Sequence, residues 1–249
     1  MSAKLYSLEL SHPSQAARLM LELKGIDHEV KDLLPGFHPQ QLRLAGFRGD
    51  TVPGLKIDGR RLQHSLAISR ALDEIQPDPP LFPTDPARRH AVEEAEVWGE
   101  REFQPVPRRI FRWSVTHDAE LRRGLAKSID MPLPNLAAAM NAPIARRFAR
   151  KVGANDERVR ADIEELPRLF DRVDALIADG TIGGAELNAA DLQIGTTARV
   201  FLAFEDLAPL LEGRPTAELA RRILPRYAGA IPRVLPAEWL AESRLPARA

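Results

Sequence analysis

The sequence predicts a small α/β domain followed by a larger all-helical one. Three observations carry this reading. Up to residue 77, short strand-like runs alternate with helical ones in the order βαβ and then ββα. Five prolines crowd residues 77–86, a density incompatible with regular structure. Beyond them, apolar residues recur mostly at helical spacing. The expected division is therefore 1–77 for the α/β domain, 78–86 for a proline-rich linker and 87–249 for the helical domain.

The elements follow in order. Residues 4–8 form a short run with an apolar bias. Residues 14–24 have helical spacing, with Ala17, Met20, Leu21 and Leu23 near one face and Gly25 as a stop. Residues 28–30 lead into a second strand, and the polar stretch 35–50 has room for a short helix. Residues 52–57 and 61–63 read as two strands joined by Asp58-Gly59, a strong hairpin signal. Residues 65–75 return to helical spacing through Ile68, Leu72 and Ile75. In the second domain, 87–103 predicts a charged amphipathic helix. Val159, Ile163, Leu166, Phe170, Val173 and Ile177 form a core stripe that Pro167 should kink or limit. Residues 188–204 are apolar apart from Asp191, Gln193 and Arg199, which predicts a buried central helix.

Composition narrows the chemistry. Of 249 residues, Lys+Arg and Asp+Glu number 35 each, so no net charge draws the chain to nucleic acid or anionic lipid. There is no cysteine, which removes thiolate ligands, cysteine nucleophiles and dithiol exchange. No apolar run approaches the ~20 residues that span a bilayer, and residues 1–10 alternate charged and apolar side chains. The expectation is a soluble, cytoplasmic protein. The six histidines are dispersed, with no pair at metal-ligand spacing, so no metal is expected. Phosphate-loop, dinucleotide, nucleophile-elbow and zinc-helix motifs are missing. Glu93, Glu94, Glu96, Glu100 and Glu102 alternate with arginines, which reads as a solvated, ion-paired helix face rather than paired catalytic carboxylates.

Three local signals remain. Ser11-His12-Pro13-Ser14 lies between a strand and a helix. Thr51-Val52-Pro53-Gly54-Leu55 puts a proline just before a strand. Gln63-His64-Ser65-Leu66-Ala67-Ile68 ends a strand and starts a helix. Each alone has an ordinary reading as a cap or a turn. In this order and spacing they resemble the glutathione transferase family, with a thioredoxin-like N-terminal domain and an all-α C-terminal one. Leu187-Asn188-Ala189-Ala190-Asp191-Leu192 is similar to that family's buried capping box, in which the cap residue and an acid three later satisfy each other's helix end.

The resemblance is to serine-type, theta-like members, and it implies roles for particular residues. Ser11 would donate a hydrogen bond to the glutathione thiolate, with Ser14 the backup and the expected helix cap. A free thiol has a pKa of ~8.5, and lowering it by ~2 units takes ~2.7 kcal/mol. One hydrogen bond to a charged group gives ~1.5–3 kcal/mol and a helix N-terminus adds ~0.3–1, so a hydroxyl at a helix end suffices. Val52 would offer its backbone to the cysteinyl unit beside a cis Pro53, Ser65 would hold the γ-glutamyl carboxylate, and His38 the glycyl end, with an exposed loop histidine as the alternative. His64 and Thr51 stand where the family has Glu or Gln and a basic residue. A second substrate would lie against the first long helix of the helical domain, with Trp98, Arg101, Arg108, Arg109, Phe111, Arg112 and Trp113 as candidates. A surface or dimer-facing helix end is the alternative.

The implied function is a glutathione transferase acting on a small electrophile in detoxification. The alternatives are a transferase-fold binding protein without turnover, motivated by His64 and Thr51, or a related glutathione-dependent isomerase, dehalogenase or peroxidase. A homodimer through 65–75 and 87–103 is implied as well, with no nucleic-acid or membrane partner.

Overall fold

The computed structural model describes residues 2–128 and 134–243. Strands β1 (Ala3–Ser7), β2 (His28–Asp32), β3 (Gly54–Ile57) and β4 (Arg60–Gln63) form one sheet in the order β2-β1-β3-β4. β1 runs parallel to β2 and antiparallel to β3, and β3 antiparallel to β4. Helices α1 (His12–Leu23), α2 (His38–Leu44) and α3 (Ser65–Ile75) connect or follow these strands. The mixed sheet and its helices are the thioredoxin-like arrangement expected.

Local chemistry accounts for the sheet. Leu5, Leu55 and Ile57 share one face and are fully buried, as are Met20 and Leu21 of α1 and Ile68 and Leu72 of α3. Alternation sends Tyr6 to the other face, where it clusters with Leu33, Leu42 and Phe47. Asp58 and Gly59 have φ of 44° and 80°, the paired positive values that a two-residue hairpin loop requires. α1 starts two residues earlier than its apolar spacing suggests, because Pro13 is tolerated in a first turn.

The rest is helical: α4 (Pro86–Trp98), a π-helical turn (Gly99–Phe103), α5 (Pro105–His117), α6 (Ala119–Ser128), α7 (Pro134–Lys151), α8 (Asp156–Ala178), α9 (Ala189–Phe201), a 3-10 turn (Ala208–Leu210), α10 (Pro215–Ile223) and α11 (Ala237–Ser243). The helix expected over 87–103 therefore changes pitch at Gly99. Gln104 N donates to Gly99 O at 2.8 Å, closing the wider turn. Trp98 and Phe103, five apart, stack with centroids 5.4 Å apart. α8 runs through Pro167 rather than starting at it. The apolar stripe on both sides of Pro167 is buried, and that burial outweighs one missing backbone donor.

The capping box at α9 forms as expected. Asp191 N donates to Asn188 Oδ1 at 3.1 Å, and Asn188 N donates back to Asp191 Oδ2 at 3.0 Å. The other Asp191 oxygen accepts from Gly183 N at 2.6 Å. Asp191 is fully buried, and burial raises its carboxyl above the usual range.

By packing, the chain divides into two compact units that do not break at the proline stretch. The first holds residues up to Gln104 with Val173–Val200 and Gly213–Gly229. The second holds Pro105–Arg172, Phe201–Glu212 and the segment from Ala230. Arg70 of α3 pairs with Glu96 of α4 at 2.5 Å, and a backbone bond from Ala189 N at the start of α9 to Leu81 O, 2.9 Å, ties α9 to the segment before α4. In the second unit, Arg109 of α5 grips Asp162 of α8 through two bonds of 2.5 and 2.6 Å. Trp113 Nε1 donates to Asp156 at 2.7 Å.

Candidate active site

The sheet register gathers the site. Tyr6 of β1 faces Gly54 of β3, and Gly54 faces Gln63 of β4. The chain therefore leaves β1 towards Ser11, enters β3 from Val52-Pro53 and leaves β4 towards His64-Ser65 at one and the same end of the sheet. Ser7 faces Asp32 of the parallel β2, so the loop to His38 begins at that end too. His64 N donates to Pro53 O at 3.3 Å and joins two of these segments directly.

Ser11 is the N-cap of α1, with extended backbone. Its Oγ accepts from Ser14 N at 3.4 Å and from Ser14 Oγ at 3.0 Å. The cap is thus Ser11 and not Ser14, which is fully buried in the first turn. Pro13 explains the exchange: it leaves Ser14 N as the first amide within reach of the cap oxygen. Both bonds fall on the Ser11 oxygen, so its own hydroxyl proton stays available to an acceptor. The half-buried Ser11 is reachable; Ser14 is not. The Leu10 carbonyl before it accepts from Tyr227 Oη at 2.8 Å.

The Val52–Pro53 peptide is cis, as the resemblance implies, and so is Asp78–Pro79, which no sequence signal singled out. Gln63 braces the loop before Val52: its Oε1 accepts from Gly49 N at 2.7 Å, and its Nε2 donates to Thr51 O at 3.2 Å. A Cβ at Gly49 would sit 2.8 Å from that same Oε1. Gln63 was missed in sequence because nothing distinguishes a bracing amide from any other strand-end glutamine.

His64 caps α3 without a side-chain bond, at φ 70° and ψ 142°. A non-glycine residue there is strained, a condition that concentrates at functional sites. Its ring is exposed, whereas Ser65 is buried. His38 opens α2 and is buried, so the reading of an exposed loop histidine is corrected; Pro39 in the first turn favours a helix start there.

The glutamate stripe is a solvated, ion-paired face only in part. Glu93 and Glu94 pair outward with Arg89 and His90. Glu96 is fully buried against Arg70, and burial pushes its carboxyl up to about 7 against the pull of Ser69 and Arg70. Glu100 Oε2 accepts from Ser65 Oγ at 3.1 Å and Leu66 N at 3.2 Å. Helix-face logic fails here because the partners lie on α3, some 30 residues upstream.

The arginines of α5 divide by helical position. Arg109 and Trp113, one turn apart, are committed to α8 as described. Arg108 and Arg112 share the neighbouring stripe. Burial and the nearby Arg108 lower the Arg112 guanidinium to about 10, and it lies over the Phe148 ring at 4.9 Å.

Comparison with known proteins adds three findings. Residues 5–80 match the family model described as glutathione S-transferase, N-terminal domain. The maleylacetoacetate isomerase of Rattus norvegicus is 40% identical over 94 residues, covering 35% of this chain and 43% of the relative. That of Pseudomonas aeruginosa is 38% identical over 93 residues, 34% of this chain and 43% of the relative. The matched stretch thus spans less than half the length of these curated relatives. Among solved structures, a beta-etherase from Sphingobium sp. superposes with a TM-score of 0.69 at 19% identity, over 91% of this chain and 96% of that one. The holo structure of a maleyl pyruvate isomerase, a bacterial zeta-class protein of the same family, gives 0.58 at 20% identity, over 88% and 90%. At such identities these structures speak for the fold.

Proposed function

We propose that this chain, whose residues 5–80 match the glutathione S-transferase N-terminal domain, is a glutathione-dependent enzyme of serine type whose reaction is an isomerisation. The observation that carries the reading is Ser11: an N-cap hydroxyl that accepts both bonds from Ser14 and keeps its own proton for a thiolate. Glutathione is the co-substrate. Val52 beside Pro53 receives its cysteinyl unit, Ser65 its γ-glutamyl carboxylate, and His38 and His64 flank the remainder.

The isomerase names of the relatives support this reaction over net conjugation. The chemistry needs only a stabilised thiolate. Sulfur adds to one carbon of a conjugated cis double bond and the electron pair moves to the adjoining carbonyl. Rotation follows about the new single bond, and the same sulfur leaves as thiolate. Nothing is oxidised or consumed. On α5, Arg108 and Arg112 are proposed to hold a carboxylate, since the Arg112 guanidinium is desolvated and lies over the Phe148 ring. Arg109 and Trp113 shape that helix through α8.

One assay separates isomerisation from conjugation. A cis-enone acid is incubated with enzyme and a twentieth as much glutathione. Complete conversion to the trans acid with glutathione recovered supports isomerisation; conversion that stops when glutathione is spent supports transfer. Titration calorimetry with reduced glutathione, with Ser65→Ala as control, tests the site itself. No binding at several millimolar would favour the non-catalytic alternative. A homodimer is part of the proposal, and light scattering at micromolar concentration checks it. No helix among the described residues is long and apolar enough to cross a membrane.

A further inference from the structure

The two donors that open α3, Ser65 Oγ and Leu66 N, both point at one oxygen of Glu100. A hydroxyl and a backbone amide at a helix N-terminus form a carboxylate receptor. In this chain the receptor already holds a carboxylate, supplied from the π-helical turn that follows α4. We propose that Glu100 is an internal competitor for the α3 receptor, so that a ligand carboxylate binds by displacing it. The ligand's identity rests on the glutathione reading above. The competition is a property of α3 and the π turn alone.

Three features fit a contact that is made and released. Glu100 is half-buried, so water can reach its carboxylate once it lets go. It sits inside the one π-helical turn among the described residues, held by Gln104 N to Gly99 O at 2.8 Å. Such turns carry an extra residue relative to the α register and recur at functional sites, and the register change is what aims Glu100 at α3. Third, a like charge stands one turn earlier. Glu96 is fully buried, with Arg70 on one oxygen at 2.5 Å and no partner on Oε1. The charged groups around the contact are therefore Glu96 and Glu100 from α4 and its extension and Arg70 from α3, with Ser65 and Ser69 as the neutral donors. Where Glu96 is ionised it opposes the seating of Glu100, which keeps the seated state displaceable.

The size of the effect follows from mass action. If Glu100 is seated in ~90% of molecules, the apparent affinity for any carboxylate at α3 is ~10-fold below its intrinsic value. Removing the competitor restores it.

The test follows the Leu66 amide by heteronuclear NMR in the full chain, in wild type, Glu100→Gln and Glu100→Ala, titrated separately with acetate and with reduced glutathione. Far-ultraviolet circular dichroism first establishes that each variant is folded, and Glu100→Gln preserves volume should Glu100→Ala disturb the turn. Two variants with acetate midpoints at least ~5-fold lower than wild type, Ala at or below Gln, carry the proposal. Equal acetate midpoints in all three proteins overturn it. A glutathione midpoint that rises in Glu100→Ala also overturns it, because Glu100 is then a ligand contact and not a competitor. Should acetate tighten while glutathione moves the Leu66 amide no more than acetate does, the competitor stands and the glutathione reading falls.

Discussion

Tyr227 donates its hydroxyl to the carbonyl of Leu10 at 2.8 Å, across 217 residues of sequence and one peptide before Ser11. The phenol is buried, which holds its ionisation well above the usual tyrosine range, so it stays a donor at any physiological pH. The loop that presents Ser11 is therefore fastened from the far end of the first unit.

Tyr227→Phe removes that bond and leaves the Leu10 carbonyl without it. The expected loss is about 1 kcal/mol of stability, read as a lower midpoint in urea. Turnover should fall further than glutathione affinity, because Ser11 loses orientation while the α3 donors are untouched. Equal losses in both would count against a positioning role.

Ser11→Ala has two separable effects. Loss of the cap costs about 1 kcal/mol of stability. Loss of the hydrogen bond to sulfur costs the bound thiolate roughly 1.5–3 kcal/mol, or ~10- to 100-fold less thiolate below the thiol pKa. Ultraviolet absorbance of the bound thiolate against pH measures this directly. An unmoved titration curve would assign the thiol to another group.

Glu96 sets a pH dependence of stability. Its folded value is raised, from 4.5 to about 7, so the folded state binds a proton that the unfolded state releases. Stability from this group is greatest below 4.5, declines between 4.5 and about 7 and is lost above that, by roughly 3 kcal/mol. Glu96→Gln mimics the protonated acid. Its melting temperature should match wild type at pH 4.5 and exceed it increasingly up to pH 8. A constant difference across that range would contradict the assignment.

Asp191→Ala should be among the more damaging single changes. It strips the acceptors from Asn188 N and Gly183 N in a fully buried corner. Two stranded donors cost about 2–4 kcal/mol together. Asn188→Ala, which removes one cap acceptor, should cost about 1 kcal/mol. Paired denaturant curves for the two variants test the order.

These features differ in how far sequence alone reveals them. The Asp58-Gly59 hairpin, α3 over Ser65–Ile75 and the Asn188–Asp191 box were all legible, since each is decided by residues within a few positions of one another. The ordered serine and Val-Pro motifs point to the end of the sheet where the candidate site gathers. What sequence could not give depends on partners far along the chain. Glu96 and Glu100 looked like members of one charged face until α3 supplied Arg70, Ser65 and Leu66. Arg109 and Arg112 looked alike until α8 placed Asp162 on only one side of α5. The pitch change at Gly99 has no periodic signature, because a Cβ there would meet Ile194 at 3.0 Å, a neighbour almost 100 residues on.

The first unit is assembled from three separated stretches of chain, and this bears on how the protein is made. A nascent chain that has emerged as far as Gln104 already contains every strand and every proposed ligand contact of the sheet end. It still lacks Ala189, whose amide holds Leu81, and Tyr227, whose hydroxyl holds Leu10. Domains tend to fold as units during synthesis, N-terminal parts first, but this unit closes only after residue 229 has left the ribosome. The proposed ligand contacts are synthesised first, and the residues that hold them in place arrive last.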